Sequence, residues 1–205
     1  MLREYALPGS RRFHDIYDSL FSAYYNGSEI DLWLNNDFIA TIKYVDILDS
    51  TINISTKEAL GRCGEETEDI VRKAFFLSFG EVGGREAPVI PANGNPLDYF
   101  LDKPNRRIAY CEDESVPCAW WLRSSDTWNR HTPFAINSKG AMGGASCEYG
   151  LGVRPAFCLD SGTEIVLHEE SALDAFFIIK NNEDSSYSST ESFTIYVDCR
   201  WIYVE

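Results

Sequence analysis

Ala119-Trp-Trp-Leu-Arg-Ser constrains this chain more than any other stretch. In a strand, side chains alternate between faces, so Trp120, Leu122 and Ser124 share one face and Trp121 and Arg123 the other. A large aromatic on each face suits a strand buried on both sides. Arg123 then falls near the core, as does Arg154 on a later strand. A buried guanidinium needs a carboxylate or backbone carbonyls, so at least one of the two is expected to be paired in that way. Both arginines, with Trp33, Trp120 and Trp121, are read as scaffold.

The 205 residues suffice for one large domain, or for a domain with an appendage. Hydrophobic residues make up 44% and aromatics 14%, enough for a real core and against disorder of the whole chain. The formal net charge is -14. Lys and Arg are scattered rather than clustered, so nucleic acid and anionic membrane are poor partners. No stretch reaches the roughly 18 apolar residues that span a bilayer. Met1-Leu-Arg-Glu-Tyr-Ala-Leu-Pro lacks the apolar run of a signal peptide, so the chain reads as intracellular, cytoplasmic by default.

Six cysteines occur: Cys63, Cys111, Cys118, Cys147, Cys158 and Cys199. A chain of this size with a good core needs no disulfide staples. There is no Cys-x-x-Cys, and His14, His131 and His168 lie far apart in sequence, so no zinc spacing is present. Free thiols are expected, Cys158 on a strand and Cys147 in a Gly-rich segment open to solvent.

Apolar residues at helical spacing predict a helix over 11–25, and a second short one after Ser28. Ser28 would be its cap, Asp31 would stand at the capping-box position, and Ile30, Trp33 and Leu34 would form its apolar face. Residues 39–62 read ambiguously, with one helical turn near 55–60, and 65–70 as an acidic exposed stretch. Strands are predicted at 74–79, 119–124, 134–138, 153–159, 175–180 and 193–197. A helix is predicted after Asn95-Pro96. Residues 140–152 hold five glycines and read as tight turns. Asn181–Glu191 reads as a long polar loop.

Four segments in order carry a resemblance. They are Ser28-Glu-Ile-Asp-Leu-Trp-Leu-Asn-Asn-Asp-Phe, Phe75-Phe-Leu-Ser-Phe, Ala119-Trp-Trp-Leu-Arg-Ser and Gly152-Val-Arg-Pro-Ala-Phe. The chain resembles a bacterial and phage family, the DUF6273 domain, over roughly 24–160. More distantly it is similar to formylglycine-generating-enzyme-like proteins and retroelement-diversified variable proteins. The resemblance implies an α+β, C-type-lectin-like fold: a small twisted antiparallel sheet, flanking helices and long loops. The family's N-terminal Trp-containing hairpin is not visible here, and Ser125-Asp126 replaces its usual Pro-Gly. The tail from 161 has no counterpart in the family. The domain is therefore read as 1–160, with 161–205 a β-rich extension packed on it.

No motif for an enzyme stands out, whether Gly-x-Ser-x-Gly, phosphate loop or His-Glu-x-x-His. Formylglycine-generating oxidases use paired cysteines and copper. Cys147 and Cys158 are the nearest candidates, and neither sits in a matching motif. Calcium suits the acidity, but the sugar-binding Glu-Pro-Asn, Gln-Pro-Asp and Trp-Asn-Asp signatures are missing, and no cofactor is expected. The resemblance places ligand contacts between the two hallmark strands. The candidates there are Asp126, Trp128, Asn129, Arg130, His131, Lys139, Met142, Glu148 and Tyr149, a mix suited to a protein or glycan ligand. The expected function is a non-enzymatic binding module. The alternative is a structural or assembly component that contacts partners through the N-terminal helix or the C-terminal strands.

Overall fold

The structure, a computed structural model, describes residues 10–15, 20–41, 47–84, 93–101, 104–110 and 116–159. It also gives the backbone of strands at 164–169, 175–180 and 196–197. The architecture is α+β, built from short helices and several small antiparallel sheets.

Helix α1 (Glu29–Trp33) starts where the sequence says it should. The Ser28 side chain accepts from the Asp31 amide, and the Asp31 carboxylate accepts in turn from the Gly27 amide. The helix widens into a π-turn at Leu34–Phe38 and closes with α2 (Ile39–Thr41). Ile30 and Leu34 are buried, while Trp33 is half-buried beneath the guanidinium of Arg11, 3.9 Å from its ring centre.

Strand β1 (Ile47–Leu48) precedes β2 (Ser50–Lys57), which forms a hairpin with β3 (Cys63–Arg72). Arg72 ties this hairpin to α1. Its guanidinium makes two bonds of 2.7 Å to the buried carboxylate of Asp31 and a third to the Asn26 side chain. Strands β4 (Ala109–Tyr110) and β5 (Pro117–Cys118) pair as a short ribbon. The central sheet is β6 (Trp120–Ser125), β7 (Pro133–Ile136) and β8 (Met142–Gly144). Strand β9 (Cys158–Leu159) returns to pair with β1. A separate antiparallel meander of β10 (Glu164–Glu169), β11 (Ala175–Lys180) and β12 (Tyr196–Val197) follows.

All of β6 is buried, and its alternation sorts two cores. Trp121 joins Phe13, Tyr25, Ile30, Leu34 and Ile54 on one side. Trp120 and Leu122 join Phe79, Phe100, Phe134 and Ile136 on the other. Burying one such side chain contributes about 1.5–3 kcal/mol. Each indole N–H also finds a carbonyl, Trp120 that of Arg107 and Trp121 that of Arg11, both at 2.8 Å.

Several expectations are corrected. No helix occupies the described residues of 11–25. Arg11 instead bridges Leu151, and Phe13 donates to the Cys147 carbonyl. Residues 20–23 form a turn. The helical spacing was real, but Phe13 meets its core by packing edge-on against Trp121, 5.5 Å away, from a bend. The acidic stretch 65–70 does expose Glu65, Glu66 and Asp69, but it does so as part of strand 63–72, and 55–57 end β2 before a short turn at Ala59–Gly61. After Asn95-Pro96 only a turn forms, with the Phe100 amide bonded to Leu97. Residues 74–79 form no regular strand, only one bridge from Phe75 to Ala156. Most of the predicted 153–159 strand is likewise irregular, regular only at β9. The predicted loop at 181–191 lies outside the described residues.

Candidate functional site

The loop joining β6 to β7 is held by its own backbone. The Asp126 amide donates to Thr132, and the Thr132 amide to Asn129. Asp126 and Asn129 each use a side-chain oxygen to accept the amide two residues on, from Trp128 and His131. Two neighbours clamp it. The Ala23 amide donates to the Arg130 carbonyl, and the Cys147 amide to the His131 carbonyl. Ser125 adds a hydroxyl bond to the Ala23 carbonyl.

On this loop Trp128 is 69% exposed. Asn129 and Arg130 are also exposed, whereas Asp126 and His131 are half-buried. Arg130 Nε donates to His131 Nε2 over 2.8 Å. An imidazole nitrogen can accept only while unprotonated. Burial and the neighbouring Arg130 charge lower the pKa of His131, and Glu148 pulls the other way. The turn at 147–149 lies beside the loop and exposes Glu148 and Tyr149, the latter by 62%.

The candidate set divides between two places. Asp126 through His131 lie at the Pro133 end of β7, with Glu148 and Tyr149 on the adjoining turn. Lys139 and Met142 lie at the opposite end. Lys139 belongs to the turn between β7 and β8, where the Asn137 side chain accepts its amide. Met142 pairs with Ile136 and is half-buried against the Trp120 core. The four residues of β7 separate the two ends by roughly 10 Å. A ligand that met the whole set would have to span both ends of β7.

Behind the loop stands the arginine scaffold. Arg123 is 1% exposed and meets the Glu81 carboxylate through two bonds of 2.6 Å. It also donates to the carbonyls of Asn53 and Phe76. Arg154 is buried, its guanidinium 4.6 Å from the Trp120 ring centre. Sequence reasoning did not find Glu81 or the Asp31–Arg72 pair. Both carboxylates sit in turns or at a helix start, far in sequence from their cations.

Cys63, Cys118, Cys147 and Cys158 are free thiols. Cys147 is buried, not open to solvent as its Gly-rich setting predicts, because its backbone stitches the loop to the Phe13 segment. Burial pushes both Cys63 and Cys147 up to about 11. Only about one such thiol in a thousand would be thiolate at pH 8. Labelling with a thiol-specific disulfide reagent at pH 8 should leave these two unmodified in the folded chain and reach both in urea. Between the unfolded value near 9 and the folded value near 11 the native state holds more protons, so stability falls as pH rises through that window.

The fold and this loop define a class: a mixed α+β domain whose hydrogen-bonded loop and adjoining turn expose Trp128 and Tyr149. The chain matches a domain of unknown function (DUF6273) over residues 2–161, and it belongs to that family. No curated protein and no solved structure matches it. Among the described residues, no helix is long and apolar enough to cross a membrane.

Proposed function

We propose that this chain is a non-enzymatic binding module for a protein or glycan, reading its ligand through the 126–132 loop and the adjoining 147–149 turn. The carrying observation is Trp128, a large aromatic held in solvent on a loop fixed by several backbone hydrogen bonds to itself and to its neighbours. Tyr149 adds a second exposed ring. Preorganised aromatics of this kind lose little entropy on binding and dominate interface energies. We read the matched unit as C-type-lectin-like. The doubly buried strand, the small antiparallel sheet and the loops grouped at its end support that reading. The assembly alternative loses one support, since no helix fills the described part of 11–25.

Trp128→Ala with Tyr149→Ala should leave the thermal midpoint almost unchanged, because both side chains are exposed. Binding should fall at least tenfold. The test probes a glycan array and the source organism's envelope proteins with wild type and variant side by side. A partner held equally by both would move the contact elsewhere and favour the assembly reading.

A further inference from the structure

Arg130 and His131 are neighbours on the 126–132 loop, and the bond between their side chains runs one way only. A guanidinium has donors and no acceptor, so His131 Nε2 must accept, and the proton of the neutral ring must sit on Nδ1. Nδ1 is buried and has no hydrogen-bond partner among the described residues. An imidazolium in this place would hold two N–H donors. One would lack an acceptor, and the other would face the donor of a second cation at 2.8 Å. The ring therefore cannot take up a proton and stay where it is.

The groups around it decide what happens instead. On its own loop stand Arg130, whose charge opposes protonation, and Asp126, whose carboxylate accepts the Trp128 amide. The adjoining turn brings Cys147, Glu148 and Tyr149. The Cys147 amide bonds the His131 carbonyl, and its thiol titrates only near 11. Glu148 is exposed, and its charge favours the protonated ring. Beyond Cys147 lies the 10–15 segment, where Arg12, His14 and Asp15 stand round Glu29. The 20–23 turn, which donates to the Arg130 carbonyl, has no titratable side chain. The β2–β3 hairpin tip approaches Arg130 rather than His131: a Cβ on Gly61 would lie 3.2 Å from Arg130 Cδ. That tip carries Glu58 and Arg62.

The backbone is tied at each of these residues. Ala23 holds the Arg130 carbonyl, Cys147 the His131 carbonyl, and the Asn129 side chain the His131 amide. Movement is left to the side chains, and that of Arg130 is exposed.

We propose that Arg130 and His131 form an acid-released latch. The neutral imidazole pins the guanidinium to the loop. When His131 takes up a proton the two side chains part, Arg130 swings into solvent, and Glu148 becomes the counter-charge of His131. The loop beside Trp128 then carries one more positive charge and a freed guanidinium on an unchanged backbone. Burial and the Arg130 charge lower the His131 pKa from the ordinary 6.5, so the latch is closed at neutral pH and opens in acid. The unfolded chain binds this proton at higher pH than the folded one, so stability falls as pH drops through the window between the two. The latch needs no ligand, and its failure would leave the binding reading standing.

The test is an NMR titration of the isotope-labelled wild-type chain from neutral pH into acid. A His131→Gln variant identifies the His131 ring among the three histidines. The neutral ring should carry its proton on Nδ1, and its midpoint should lie below 6.5. The Arg130 Nε–H proton should move from a bonded to a free position with that same midpoint. Arg130→Gln should raise the midpoint by about one pH unit, and Glu148→Gln should lower it. Both side chains are exposed, so the fold should survive each change. A neutral ring protonated on Nε2, an Arg130 signal that ignores the His131 transition, or a midpoint unmoved by Arg130→Gln would each overturn the latch.

Discussion

Glu81→Ala should destabilise the domain by about 3–5 kcal/mol, the cost of leaving a buried cation without its counter-charge. Arg123 has almost no solvent to fall back on. Its two backbone acceptors, Asn53 and Phe76, carry no formal charge. The loss reaches further, because the same carboxylate accepts the Ser78 amide and so holds the turn that carries it. Urea unfolding monitored by tryptophan fluorescence would measure this as a lower midpoint. Replacing Arg123 and Glu81 together with apolar residues of similar volume should recover most of the stability, since a buried ion pair is costly to break but not costly to exchange. If Glu81→Ala moved the midpoint no more than an exposed substitution does, the guanidinium would have found other partners.

Trp121→Ala should cost a similar 3–5 kcal/mol, by a different route. Here the loss is volume: the indole fills the core between Phe13 and the β6 backbone. Its N–H also holds the Arg11 carbonyl, and Arg11 pairs in turn with Leu151. The thermal midpoint should fall by about 10 °C. Hydrogen exchange should quicken first at the Phe13 and Leu151 amides, which this contact staples down. Trp128→Ala deletes the same side chain and should cost within about 0.5 kcal/mol. The contrast between two tryptophans seven positions apart separates scaffold from surface.

Strand β6 was legible because alternation alone decides its faces, and both proved buried. The helix start at Ser28 was legible because capping is a local hydrogen bond. Helix 11–25 misled because the apolar residues that set the helical period are also those a core takes up from irregular chain: Phe13 stands at a bend and 20–23 form a turn. Nothing local tells Phe13 that Trp121 awaits it. The β2–β3 hairpin was missed for a related reason. Glu65, Glu66 and Asp69 are exposed on a strand that has solvent on one side, and their charge hid the pairing of Ile52 with Ile70. In the tail, Ala175–Lys180 is apolar enough to read as a strand, whereas Glu164–Glu169 is not, and only its register with β11 reveals it. The candidate loops were read as one surface because sequence distance conceals which end of β7 each occupies. The salt-bridge partners were hidden altogether, because the carboxylate that meets an arginine is chosen by the fold.

The Arg123 guanidinium also sets an order of events when the chain is made. Its acceptors on Asn53, Phe76 and Glu81 lie 70, 47 and 42 residues upstream. At about 5–20 residues per second, a ribosome finishes them roughly 2–14 s before their donor exists. For that interval the hairpin and the turn are complete in sequence yet lack the group that joins them. The first half of this domain thus waits for the second, and closure follows the arrival of a single side chain.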